Sequence, residues 1–288
     1  MDGQTVVSFV ENDRTNPYNW TIPKKLYVVI TGMMMVLNST MGSALPSGAT
    51  RVIQKYFQVN EEELLVLPVS IYLIGYILGP LIFAPLSESY GRKIVMICTF
   101  VLFTAFVMAT ALSPNFASYV NFRLLAGIGA STPVSVIGGI YADLYSTARA
   151  RGFAITAFMA GTTWGPLAGP LISGYVSEGV SWQWVYWIEL IVAGATWPLL
   201  LGMPETYGPV ILKRKAKKLR KETGNPNIVA PSELEKQDLW ELIAVVLTRP
   251  IRMFLFEAIV LCVCLYLSLA YAIFYSKSDR PRIPGVES

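Results

Sequence analysis

Three charged residues interrupt runs that are otherwise apolar, and their types suit them to chemistry. Arg123 stands in Asn121-Phe-Arg-Leu-Leu-Ala-Gly127, Asp143 closes Gly138-Gly-Ile-Tyr-Ala-Asp143, and Glu189 follows Trp182-Gln-Trp184. An arginine within an apolar span costs roughly 3 kcal/mol at the helix centre. Arg123 therefore either meets a partner carboxylate or polar cavity, or snorkels to the outer interface. Asp143, with Arg149 and Arg151 close behind, is read as one half of an ion pair or as a plain helix-end carboxylate. Glu189 is an intramembrane carboxylate, a residue type that carries a proton or holds a cationic substrate. Other chemistries lack their parts. The chain has no His, the commonest general base and transition-metal ligand. Cys98, Cys262 and Cys264 all fall in apolar runs, unlike a zinc site or disulfide framework. No phosphate-cradling Gly-Lys-Ser/Thr loop is present. The expectation is a protein that is not an enzyme, with no cofactor, no metal and no nucleic-acid partner.

The elements that must position these residues are membrane spans. Of 288 residues, 53% are hydrophobic and 15% charged, against about a quarter charged in a soluble domain. Apolar runs of the ~20 residues that a bilayer requires occur at 26–47, 64–86, 94–112, 117–141, 152–176, 184–203 and 253–275. The first 25 residues form a polar tail without a signal-peptide pattern, so the first span is the membrane address. A polar loop is expected at 48–63, a charged segment at 204–250 and a polar tail at 276–288. With the N-terminus inside, seventeen Lys and Arg fall on the cytoplasmic side and five outside, the distribution that the positive-inside rule favours. Positions 213–221 hold seven basic residues in nine, with Leu212, Ala216 and Leu219 at helical spacing. This is a short basic helix on the anionic inner leaflet, or a charge cluster that only retains the loop inside.

Two stretches carry further pattern. Ala-Pro-Leu-Ser-Glu-Ser-Tyr-Gly-Arg-Lys at 84–93 reads as a tight polar turn between antiparallel helices. Glu88 lies four positions before Arg92, so the turn can carry its own charge pair or reach a neighbouring helix. In the fifth span, Gly161, Gly165 and Gly169 recur every four residues and make one bare face for close helix approach. Pro166 and Pro170 there remove two ladder hydrogen bonds. Asn38 sits mid-way along the first span. With the aromatics Tyr72, Tyr76, Trp164 and Tyr186 it either lines a substrate cavity or packs the bundle. Glu257, early in the seventh span, is read as structural.

These motifs resemble the major facilitator superfamily. Leu86, Gly91, Arg92 and Lys93 match its signature loop Gly-x-Leu-Ala-Asp-Arg-x-Gly-Arg-Lys, with Glu88 standing for the Asp, while Ala84 and Ser89 depart. The form Pro-Leu-Ser-Glu-x-Tyr-Gly-Arg is similar to the fungal drug:proton antiporter branch. Arg123-x-x-x-Gly127 resembles the fourth-helix motif, whose arginine is linked to proton transfer. Gly161 to Pro170 resembles the antiporter motif, with Pro170 where a second Gly is often found. Glu189 and Gln183 are departures, since an amide and an Arg are expected near those places.

The resemblance implies an all-α polytopic membrane protein: a cytoplasmic tail (1–25), a six-helix N-terminal bundle (26–203), a basic central loop (204–250), one further transmembrane helix (251–275) and a divergent tail (276–288). It implies proton-coupled export of small molecules such as drugs or polyamines by alternating access, most often at the plasma membrane. The implied partners are the bilayer, a small-molecule substrate and protons. The family has twelve spans in two halves, so this chain is expected to lack half of the cavity and not to transport alone. The rival expectation is a non-transporting half-carrier, or a module that pairs with a full-length relative.

Overall fold

The computed structural model describes residues 5–10, 12–59, 61–234, 248, 252 and 255–278. The chain divides into two compact units, Met1–Gln237 and Asp238–Ser288. The first contains α1 (Ile22–Phe57), α2 (Leu67–Tyr90), α3 (Arg92–Ala111), α4 (Phe116–Ala130), α5 (Thr132–Leu144), α6 (Ala148–Gly179), α7 (Gln183–Gly202), α8 (Gly208–Thr223) and α9 (Pro231–Leu234). It also holds two short strands, β1 (Thr5–Val6) and β2 (Ile228–Val229). The described part of the second unit is a helix, α10 (Ala258–Ser278). This is an all-α membrane fold. Among the described residues, five stretches are long and apolar enough to cross a bilayer: Ile22–Phe57, Leu64–Tyr90, Arg92–Ala111, Phe116–Leu144 and Gln183–Gly202. α6 has ample length, but its Gly, Thr, Ser and Pro dilute its apolar character.

α1 is the axial helix of the bundle. It packs along α6 and also touches α2, α4, α5 and α7. Its contact with α6 is close because both surfaces are stripped of side chain. Gly161 lies against Met33, Gly165 against Thr40 and Met41, and Gly169 against Met41 and Ala44. Reciprocally, Gly48 of α1 lies against Pro170, Ser173 and Gly174. Without a hydrophobic drive between helices in lipid, such proximity gains its stability from dispersion contacts.

Several boundaries differ from expectation. The predicted loop at 48–63 is instead helical through Phe57. Ala49 and Ile53 are buried, and Phe57 joins an aromatic cluster with Phe116, Tyr119 and Trp182. Burial of that face outweighs the polarity of its neighbours, and Gln58, at φ 53°, closes the helix. The polar turn at 84–93 is nearly all helix: α2 runs to Tyr90, α3 begins at Arg92, and Gly91 alone forms the corner at φ 104°. The fourth span breaks at Ser131 into α4 and α5. Pro133 has no N–H to donate back, and Ser39 Oγ donates across to the Ala130 carbonyl at the break. In the second unit, residues 253 and 254 of the predicted seventh span lie outside the described residues. α10 continues to Ser278, past the predicted end at Tyr275, because no Gly or Pro interrupts the ladder there. Its plainly apolar portion is Ala258–Ala270.

A second small core sits at the end of the bundle where α7 ends. β1 pairs in parallel with β2, Thr5 opposite Ile228 and Val6 opposite Val229. Leu212, Ala216 and Leu219 of α8 pack against Val7, Ile228 and Ala230. The apolar stripe of the basic helix is thus covered by the chain's own N-terminal strand, not free to enter a bilayer. Lys215 Nζ donates to Asp13 Oδ2 at 2.6 Å. That bond and the hydroxyl and amide of Thr15 hold the Asp13 carboxyl down, from 3.8 to about 2.

Gly165→Val is expected to cost about 1–3 kcal/mol by overpacking, read as a lower melting temperature in detergent. Gly174→Ala, where an added Cβ meets nothing within 4 Å, leaves it unchanged or raises it slightly. Because the folded-state Asp13 value lies below its ordinary one, its contribution is full above about pH 4 and fades towards about pH 2. Hydrogen-exchange protection of the Val7 amide, which donates to the Val229 carbonyl, is expected to fall across that window. Asp13→Asn should lower protection at neutral pH and remove this step.

Candidate functional site

Arg123 is fully buried on α4, so the snorkelling alternative does not hold. Its Nε donates to the Pro68 carbonyl at 3.1 Å and its Nη2 to the Ser43 carbonyl at 3.5 Å. Its guanidinium lies 4.3 Å from the Tyr72 ring centroid and 5.9 Å from that of Tyr186. Backbone carbonyls and ring faces thus take the place of solvent around the cation. Nη1 has no hydrogen-bond partner among the described residues. Glu189, on the facing side of α7, is also fully buried, and neither carboxyl oxygen is hydrogen-bonded among the described residues. Arg123 acts on it electrostatically, yet the two form no direct ion pair among the described residues. Gly42 makes room for the carboxylate: a Cβ there would meet both Glu189 Oε1 and the Tyr72 hydroxyl.

One helical turn towards the α1 C-terminus, Tyr119 and Tyr186 hydrogen-bond through their hydroxyls. Spacings of four on α4 and three on α7 place these tyrosines on the same faces as Arg123 and Glu189. Trp182, Phe57 and Phe116 pack around them and close that end of the bundle. The cavity candidates Asn38, Tyr72 and Tyr76 are engaged inside the bundle, and Trp164 is not. Tyr72 is buried and donates to the Ser39 carbonyl, and Tyr76 shares a hydrogen bond with Ser39 Oγ. Asn38 donates to Thr196 Oγ1 and the Met34 carbonyl. These groups cross-link helices. Trp164 is 67% exposed, because Gly165 beside it takes the inward face of α6 and turns Trp164 outward.

The signature stretch builds a second constellation. Arg92, buried, donates from Nε to Asp143 Oδ2 at 2.6 Å, so the cation partner of Asp143 is Arg92 rather than Arg149 or Arg151. Glu88 is exposed and forms no charge pair with Arg92 among the described residues, because the corner at Gly91 turns Arg92 towards α5. Gly139 leaves space for the guanidinium, which an added Cβ would meet at 2.6 Å. Leu86 lies half-buried near the end of α2, and Lys93 Nζ donates to the Leu201 carbonyl at 2.9 Å. Sequence reasoning missed Glu205. Its carboxylate accepts from the backbone N–H of Arg92 at 3.0 Å and of Lys93 at 3.3 Å, and from those of Thr206 and Tyr207 at 3.0 Å. An acid just past a span is an unremarkable signal, and the helix it caps begins 113 positions away.

The Major Facilitator Superfamily profile matches residues 28–279. The chain belongs to that superfamily. Polyamine transporter 3 of Saccharomyces cerevisiae is 35% identical over 266 residues, covering 92% of this chain and 42% of the relative. Multidrug transporter TPO3 of Candida glabrata is 36% identical over 267 residues, with 92% and 42% covered. The chain spans about half the length of the curated relatives it matches. The inward-open xylose transporter XylE from E. coli shares the fold, with a TM-score of 0.57 at 20% identity, over 81% of this chain and 56% of that one. The chain is an integral membrane protein of a transporter family rather than of an enzyme family.

Glu205→Ala strips four backbone donors of their acceptor. It is expected to cost about 1–3 kcal/mol, read by thermal unfolding in detergent, whereas Glu88→Ala changes stability by under about 0.5 kcal/mol.

Proposed function

We propose that this chain forms one half of the path of a proton-coupled exporter of small molecules, with drugs and polyamines as the substrate classes. The observation that carries the reading is Glu189, fully buried with neither carboxyl oxygen hydrogen-bonded among the described residues. An isolated buried carboxylate costs several kcal/mol when ionised, a cost that either a proton or a cation removes. A group with two such alternative occupants has the chemistry of exchange. Arg123 lies in the same buried cluster, its guanidinium over the rings of Tyr72 and Tyr186, so movement of either side chain alters the balance between proton and cation. Alternating access then follows if the two occupants favour different packings of the bundle. The names of the two fungal relatives support the substrate classes.

Gly161, Gly165, Pro166, Gly169 and Pro170 serve in this reading as the bearing surface of α6 on α1, which leaves no path for protons between the two helices. Arg92 with Asp143 acts as a latch at the end of the bundle that carries Gly91, and the loss of that pair accompanies a change of state. That end faces the cytoplasm, as the basic residues of α8 require, and the plasma membrane is the proposed address. Residues 26–203 act as the moving unit, and a complementary set of helices, from the same or a full-length related protein, completes the cavity.

The test is pH-gradient-driven movement of radiolabelled spermidine and of a cationic dye in inside-out vesicles, with the chain expressed alone and beside a full-length relative. Gradient-dependent accumulation is expected with the wild-type chain in at least one arrangement and is abolished by Glu189→Gln. Arg123→Lys, which keeps the charge but not the fork that reaches two carbonyls, is expected to fail as well. Accumulation unchanged by Glu189→Gln would remove this carboxylate from the coupling.

A further inference from the structure

The cations of α8 fall into two structural groups. Lys215 and Arg220 are held by acids from elsewhere in the chain, at 2.6 Å to Asp13 and 2.7 Å to Glu233. Lys213, Arg214, Lys217, Lys218 and Lys221 are exposed. Positions 213, 214, 217, 218 and 221 recur at helical spacing, so these five side chains form one stripe. That stripe lies away from Leu212, Ala216 and Leu219, which are packed on the N-terminal strand. Its acidic contact is a loose one, Lys218 with Glu222 at 3.7 Å, where both side chains are mostly exposed. Such a pair contributes little.

The stripe's position is also fixed. α8 begins six residues after the last residue of α7, and Glu205 between them is bonded to the first N–H groups of α3. The helix therefore starts at the level where the spans leave the bilayer. Lys24 at the start of α1 and Arg149 at the start of α6 are exposed at this same end. A row of exposed cations with no free apolar face, held at the headgroup level, has electrostatic complementarity to an anionic leaflet and no means of insertion.

We infer that the exposed stripe of α8 is a docking surface for anionic phospholipid headgroups of the adjoining leaflet. Contact is electrostatic and peripheral, so it is lost as salt screens it. Each cation near such a surface contributes a factor of about five.

The experiment uses the full chain in nanodiscs of phosphatidylcholine, with and without phosphatidylserine, and follows the rate of trypsin cleavage after Arg214 and Lys218. Cleavage is expected to be about twenty-five-fold slower in the phosphatidylserine discs, from two of these contacts, with the difference abolished at high salt. The triple variant Lys213→Gln, Lys217→Gln, Lys221→Gln keeps both cleavage sites. It should lose most of that protection while its melting temperature stays that of the wild type. Equal cleavage in the two kinds of disc overturns the proposal and leaves the stripe as a solvated face. Equal protection of the chain in phosphatidylcholine discs by soluble inositol hexakisphosphate also overturns it, and assigns the stripe to a free polyanion.

Discussion

The close approach of α1 and α6 is the constraint on which the rest of the bundle depends. Removing side chains at Gly161, Gly165 and Gly169 lets α6 lie against the backbone of α1 around Met33, Met41 and Ala44. This leaves the other flanks of α1 for α2, α4, α5 and α7. A wider helix at α6 would displace α1 and with it Ser39, which cross-links to Tyr76 and to the broken ladder at Ala130. Close packing propagates such shifts because interiors have no slack to absorb them.

The same packing determines how charge is tolerated. Arg123 and Glu189 stand deep in an interior where water is replaced by carbonyls, rings and hydroxyls. The cation is partly satisfied by Pro68, Ser43 and the ring of Tyr72, while the Glu189 carboxyl has no hydrogen-bond partner among the described residues. Buried charge is ordinarily paired because an unpaired one is unstable. In the proposed function, the asymmetry between these two residues is what distinguishes a place of exchange from a structural ion pair. Arg92 and Asp143 show the opposite case, in direct contact at 2.6 Å at the end of the bundle, with Glu205 fastening the adjacent corner.

The N-terminal segment extends this logic outside the bundle. β1 completes a small core with α8 and β2, Asp13 reaches Lys215, and the Tyr18 hydroxyl donates to the Ala142 carbonyl at 3.3 Å. One strand thereby occupies the apolar side of a helix whose composition resembles that of a membrane-surface element. What remains exposed on α8 is mostly charged.

The sequence by itself determined the membrane class, the approximate spans and the residues worth examining. Apolar runs of bilayer length have no soluble alternative, and a charge within one is conspicuous whatever its neighbours. The spacing of Gly161, Gly165 and Gly169 likewise marked a contact face, because a four-residue period is local information. The tertiary structure alone decided which helix fills that face, that Asp143 meets Arg92 rather than the arginines beside it, and that Glu205 caps α3. It also decided that Trp164 turns outward and that 48–57 is helix rather than loop. These outcomes depend on contacts between residues some fifty to two hundred positions apart, or on burial that overrides local polarity. Pattern reading along a chain senses neither.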